Sequence, residues 1–194
     1  MKRLFVLMII TVLLLVGCNS SQDNSQERYD EVIYTSASNR YARAFDDLVN
    51  RSNNIVRGRI ADDSKIVFQT HIGHNLVSLE ILEVIKGDLK VGDTINILEP
   101  YFIRDRVLRT WADYMPSIPN QEYIFSLTDP TDDMPEGYEG AYFVSHGERG
   151  RYLVLSNARA SIQEFSREDL SLGENANIDL YMSLYQDVIN AYMR

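Results

Sequence analysis

Three histidines, one acidic run and an adjacent serine–histidine pair are the residues with the most obvious chemistry to offer. His71 and His74 flank Gly73 in an H-x2-H spacing that could bring two imidazoles to one metal ion. A zinc site needs a further protein ligand, and the remaining histidine, His146, is distant in sequence. A hairpin turn over Gly73-His74-Asn75 with two exposed histidines is the simpler reading. Asp129, Asp132, Asp133 and Glu136 could offer oxygens to calcium, but their spacing misses the EF-hand pattern. Pro130 and Pro135 suit a solvated surface turn. Ser145 and His146 are neighbours, which says nothing about a nucleophile and its base meeting in space. The chain carries no G-x-S-x-G, H-E-x-x-H, phosphate loop or dinucleotide glycine run. The reading is therefore no catalytic residue, no metal and no cofactor. An envelope hydrolase with an unrecognised site, or an inhibitor-like partner of another envelope protein, is the alternative.

Residues 99–120 offer a different chemistry, that of recognition. They hold the only tryptophan, Trp111, with Tyr101, Phe102 and Tyr114, three arginines and Pro100, Pro116 and Pro119. An irregular loop of about 20 residues is uncommon in a compact domain unless it has a role. Aromatic and arginine side chains are enriched at interfaces. Arg104, Arg106, Arg109, Trp111 and Tyr114 are accordingly the expected partner-binding surface, for an envelope protein or a peptide. Two bland alternatives stand beside this one: the aromatics cap an open barrel end, or residues 104–114 form a short helix over the core. A deep pocket with convergent titratable groups would favour an enzyme. An exposed aromatic–arginine surface would favour a binding module.

The elements that must position these residues are mostly strands. Residues 31–36 read as a short strand or extended lead-in. Tyr41, Phe45, Leu48 and Val49 share one face of an expected helix over 38–52, with Ser38 as its N-cap. Residues 54–61 and 65–72 read as paired strands about an Asp62-Asp63-Ser64 turn. Residues 76–85 form a long strand apolar on both faces, as a barrel strand is that buries each side in turn. Turns at Lys86-Gly87-Asp88 and Val91-Gly92-Asp93 precede a strand at 94–98. Further strands are expected at 123–127, 141–145, 151–155 and 160–165, with the acidic loop at 129–140. A closing amphipathic helix over 178–193 groups Tyr181, Met182, Tyr185, Val188, Ile189 and Tyr192.

The start of the chain has another pattern. Lys2 and Arg3 precede an apolar run over 4–16, which as a helix reaches only about 20 Å, short of a bilayer core of about 30 Å. Leu15-Val16-Gly17-Cys18 follows, and it resembles the lipobox of bacterial lipoproteins. The resemblance implies that residues 1–17 are a signal peptide and that Cys18 carries lipid, palmitate included. The protein would then be held at the cell membrane, facing outward from the cytoplasm. Residues 18–37 read as lipidated cysteine and tether, and 38–194 as a single barrel domain with flanking helices.

Three segments carry a second likeness: Leu48-Val49-x3-Asn53-x-Ile55-Val56-x-Gly58-x-Ile60, then residues 84–95 (VIKGDLKVGDTI), then residues 121–127 (QEYIFSL). Their succession resembles uncharacterised bacterial envelope domains. More distantly it is similar to the netrin-like domain of tissue inhibitors of metalloproteinases. Over residues 45–165 it implies an OB-type barrel with helices packed outside, so the fold class is mainly β (α+β). It does not bring an inhibitory activity. In those inhibitors a free amino-terminal cysteine ligates the protease metal and disulfides staple the barrel, whereas this chain has one cysteine.

Charge narrows the partners. Without residues 1–17, 17 Lys and Arg face 28 Asp and Glu, a net of −11. That argues against nucleic acid and against an electrostatic hold on anionic headgroups. With one cysteine no disulfide framework is possible, so packing must supply the stability. A hydrophobic content of 45% and 12 tyrosines make that feasible.

Overall fold

The computed structural model describes residues 29–35, 41–69, 72–155 and 165–192. The signal run, Cys18, residues 19–28 and 36–37 of the expected tether, Ser38, His71 and most of the strand expected at 160–165 lie outside the described residues, while residues 31–35 of that tether form a strand.

Among the described residues ten strands and two α-helices follow in order: β1 (Glu31–Thr35), α1 (Phe45–Arg51), β2 (Asn54–Ile60), β3 (Lys65–Gln69), β4 (Ile72–Lys86), β5 (Thr94–Glu99), β6 (Tyr101–Arg104), β7 (Val107–Trp111), β8 (Glu122–Thr128), β9 (Tyr142–Val144), β10 (Arg151–Leu153) and α2 (Ile178–Tyr192). A 3₁₀ turn, Gly147–Gly150, joins β9 to β10. Strands β8, β2, β4, β5 and β9 pair in that order, and β9 pairs again with β8. The ring is a closed five-stranded barrel, OB-like, flanked by two helices that pack against each other on the same side of it.

The 15-residue β4 is its spine, pairing with β3 and β5 over its first half and with β2 over its second. A strand that long can serve neighbours on both sides only by curling. The β2–β4 ladder supplies the bend with register shifts at Ile55/Val56 and Arg57/Gly58. At Gly58 a Cβ would fall 2.7 Å from the Glu80 carbonyl oxygen, so the bend needs glycine there.

Alternation then sorts the layers. Val56, Ile60, Leu79, Ile81, Ile97, Tyr123, Phe125 and Leu127 fill the barrel, each contributing about 1.5–3 kcal/mol by burial. Ile55 and Ile124 belong instead to a second cluster with Tyr181, Leu184, Tyr185 and Val188 of α2 and Leu48 of α1. Outside, Glu122 receives Arg57 at 2.6 Å and Arg59 at 2.8 Å, a cross-strand charge ladder that lowers its pKa.

Three expectations are corrected. The first helix begins at Phe45, not near Ser38. Tertiary contacts take the residues before it: Tyr41 lies under the Arg149 guanidinium at 5.4 Å, and the Ala42 carbonyl accepts from Arg149 at 3.2 Å. Gly73-His74-Asn75 is not a turn but the start of β4, paired with Phe68, Val67 and Ile66. Most consequentially, residues 99–120 are not an irregular loop. They hold the β6–β7 hairpin, and β1 adds to it in parallel to make a three-stranded sheet ordered β1-β7-β6. No helix forms over 104–114. The hairpin turns at Asp105 and Arg106, both at positive φ (54° and 60°), as a two-residue primed turn requires.

A cavity between the barrel and the small sheet

The hairpin's pleat decides where each expected recognition residue goes. Phe102 pairs with Arg109 and Arg104 with Val107, so these share one face with Trp111. Tyr101, Ile103, Leu108 and Thr110 share the other face, which turns toward the barrel. The five residues expected to form one partner surface are therefore parted. Tyr114 lies past the strand end and is fully buried, because its hydroxyl reaches inward to Glu99 at 2.7 Å. Arg106 is engaged by Asp30 through two contacts of 2.7 Å. Arg109 lies over the Phe102 ring at 5.8 Å, and Arg104 is 68% exposed beside Asp105.

Trp111 is half-buried, stacked on His74 with ring centroids 5.3 Å apart and planes 11° from parallel. Gly73 allows this layer to form, since a Cβ there would meet the rings of Phe102 and Phe68 within 2.8 Å. His74 is thus not an exposed turn residue. Its Nδ1 lies 3.1 Å from the Tyr138 hydroxyl, and burial pulls its pKa from 6.5 down to about 4. Tyr138 pins the acidic loop here, while Asp129, Asp132, Asp133 and Glu136 face solvent. His146 is buried on the far side of β9 at the start of the 3₁₀ turn. Among the described residues no three His, Cys, Asp or Glu side chains converge as a metal site.

The inner face of the small sheet borders a cavity of about 440 Å³, within the usual range for small-ligand sites. One wall is Val32 and Tyr34 of β1 with Tyr101 and Ile103 of β6. The opposite wall is the barrel rim at Ile60, Asn75, Val77 and Glu99. Met115, Pro116, Ser117 and Pro119 line one end, and residues 167–174 line the other.

Its floor is polar and held in place. Glu99, 1% exposed, accepts at Oε1 from the hydroxyls of Tyr114 and Ser117, and at Oε2 from the Asn75 amide at 3.1 Å. Arg151, also 1% exposed, sits 3.7 Å from Glu99. The Arg151 guanidinium donates to the Met115 carbonyl at 2.7 Å, the Ser117 hydroxyl at 2.8 Å and the Ser171 carbonyl at 2.8 Å. It also lies 4.3 Å over the Tyr114 ring. Both Glu99 oxygens are occupied, and Ser117 gives its proton to one of them, so neither group is placed to act on a substrate. The other carboxylates of the cavity, Asp62, Glu168 and Glu174, stand exposed at its mouth.

Sequence reading missed this site, which six separated segments build. The available signals were Glu99 inside an apolar run and Arg151 at the start of one. No protein-family model matches the chain, and no curated protein matches it. Among the described residues no helix is long and apolar enough to cross a membrane.

Proposed function

We propose that the chain is a lipid-anchored extracytoplasmic protein whose barrel is a non-catalytic binding module. The observation that carries the binding half is the cavity. It is large enough for a small molecule, it mixes apolar walls with a few polar groups, and its floor carboxylate is ion-paired with Arg151 and hydrogen-bonded. A catalytic floor would keep an acid, base or nucleophile free to reach the reacting atom. Support for the anchor comes from Leu15-Val16-Gly17-Cys18 behind its basic and apolar leader. A diacylated cysteine holds a protein at a bilayer, where a single chain gives only marginal binding.

The anchor has a direct test. Labelled palmitate fed to the producing bacterium should enter the wild-type protein and not Cys18→Ala. The variant should also leave the membrane fraction. Label persisting in Cys18→Ala removes the anchor reading.

A further inference from the structure

One side chain lining the cavity carries a buried hydrogen-bonding atom that the described residues leave unpaired. Asn75 is 1% exposed and lines the cavity. Its amide nitrogen donates to Glu99, but its Oδ1 has no hydrogen-bond partner among the described residues. A buried amide oxygen left unsatisfied is costly, and folds rarely tolerate one without a role for it. What would satisfy it is a donor carried in by a ligand.

The mouth adds a choice of sign. Asp62, Glu168 and Glu174 are exposed there. The nearby cation, Arg167, spends its Nη1 on the carbonyls of Gly173 at 3.2 Å and Ala176 at 2.7 Å. An anion entering this mouth meets three carboxylates, while a cation is drawn in. Between mouth and floor lie the side chains of Val32, Ile60, Val77, Ile103 and Met115, together with the rings of Tyr29, Tyr34 and Tyr101. Tyrosine faces accept an ammonium group as well as an apolar body. Burial, aided by the neighbouring Tyr34, raises the Tyr29 pKa and so keeps that hydroxyl neutral.

From these features we infer that the cavity binds a small organic amine: an ammonium group, with Asn75 Oδ1 as its acceptor at the floor, on an apolar or aromatic body. The inference rests on the binding-module reading and names the ligand class for it.

The test uses the full chain and three probes of similar shape: 2-phenylethylamine, 2-phenylethanol and 3-phenylpropanoate. Calorimetric titration should show saturable one-to-one binding of the amine, at least about tenfold tighter than the carboxylate, with the difference shrinking as salt is raised. Ile103→Trp, a half-buried wall position, should fill the cavity and abolish binding. Glu168→Lys with Glu174→Lys should erase most of the amine preference. Asn75→Leu should lose the amine. Since that variant could fail to fold for want of the Glu99 contact, the wild-type Asn75 side-chain carbonyl is also followed by NMR. It should shift on titration with amine and not with carboxylate.

The ligand class is overturned, with the cavity still a binding site, if the carboxylate binds as tightly as the amine and Ile103→Trp abolishes both. No saturable amine binding, or amine binding indifferent to Ile103→Trp, overturns the inference itself. Recovery of the amine chemically altered would instead sink the non-catalytic reading.

Discussion

Two buried titratable residues set the pH response of the fold, and they pull in opposite directions. His74 is pushed from 6.5 to about 4 by burial against Trp111, Tyr138 and Phe143, so the folded state prefers it neutral. Between pH 6.5 and 4 the unfolded chain binds the proton first, and His74's contribution is lost as pH falls. Glu148 is raised from 4.5 to about 7, chiefly by burial, against the lowering effect of Arg149 at 3.1 Å. Here the folded state holds the proton longer, so the contribution is present below pH 4.5 and lost as pH rises to about 7. Each effect is on the order of 3 kcal/mol, and between pH 4.5 and 6.5 they largely cancel. Urea unfolding across pH 4.5–7.5 should separate them. Relative to wild type, Glu148→Gln should gain stability as pH rises and His74→Gln as pH falls. Parallel curves for either variant and the wild type would show that its residue does not titrate as described.

At the scale of elements, one sheet edge is closed by side chains. Strand β10 pairs only with β8, and α2 lies along its free edge. Tyr181 and Tyr185, one helical turn apart, donate to the carbonyls of Arg151 and Leu153, which are two residues apart on the strand. Tyr152 packs against both rings, at 5.2 and 5.5 Å. A sheet edge that could recruit another chain is thereby spent internally. Tyr181→Phe and Tyr185→Phe keep the rings but orphan a buried carbonyl, so each should cost about 1–3 kcal/mol in chemical denaturation. A null effect from both would mean that water reaches the β10 edge.

The α2 face itself was legible, since Tyr181, Tyr185, Val188 and Ile189 recur at helical spacing. The barrel strands were too, because the apolar runs on either side of the K-G-D and V-G-D turns leave little else to form. The β6–β7 hairpin was not, although residues 101–104 and 107–111 are rich in aromatic and β-branched side chains. Its primed turn is made by Asp105-Arg106 instead of the Asn-Gly type that announces one. The Asp30 ion pair and a hydrogen bond from the Asp30 amide to the Arg106 carbonyl at 2.8 Å hold that turn in place. That partner is the residue just before β1, about 75 residues earlier, and no local pattern reveals it.

For the whole molecule, Arg151 is the joint between the barrel and the small sheet. It stands on β10, opposes Glu99 at the end of β5, and fastens the carbonyls of Met115 and Ser171, which line the two ends of the cavity. A buried ion pair adds little to stability relative to an apolar pair, but removing one member strands the other without a counter-charge. Arg151→Met should therefore cost about 3–5 kcal/mol. Arg151→Met with Glu99→Gln should recover part of that loss, because no charge is then left buried. The damage should also be uneven. The β2–β4 ladder and the apolar barrel interior do not depend on the guanidinium, whereas the segment after β7 and the turn at Ser171 do. Amide exchange in β1, β6 and β7 should accelerate more in Arg151→Met than exchange in β2 and β4. Equal acceleration throughout would mean that barrel and small sheet form one cooperative unit without this joint, and that the cavity walls are held by the hairpin's own pairing.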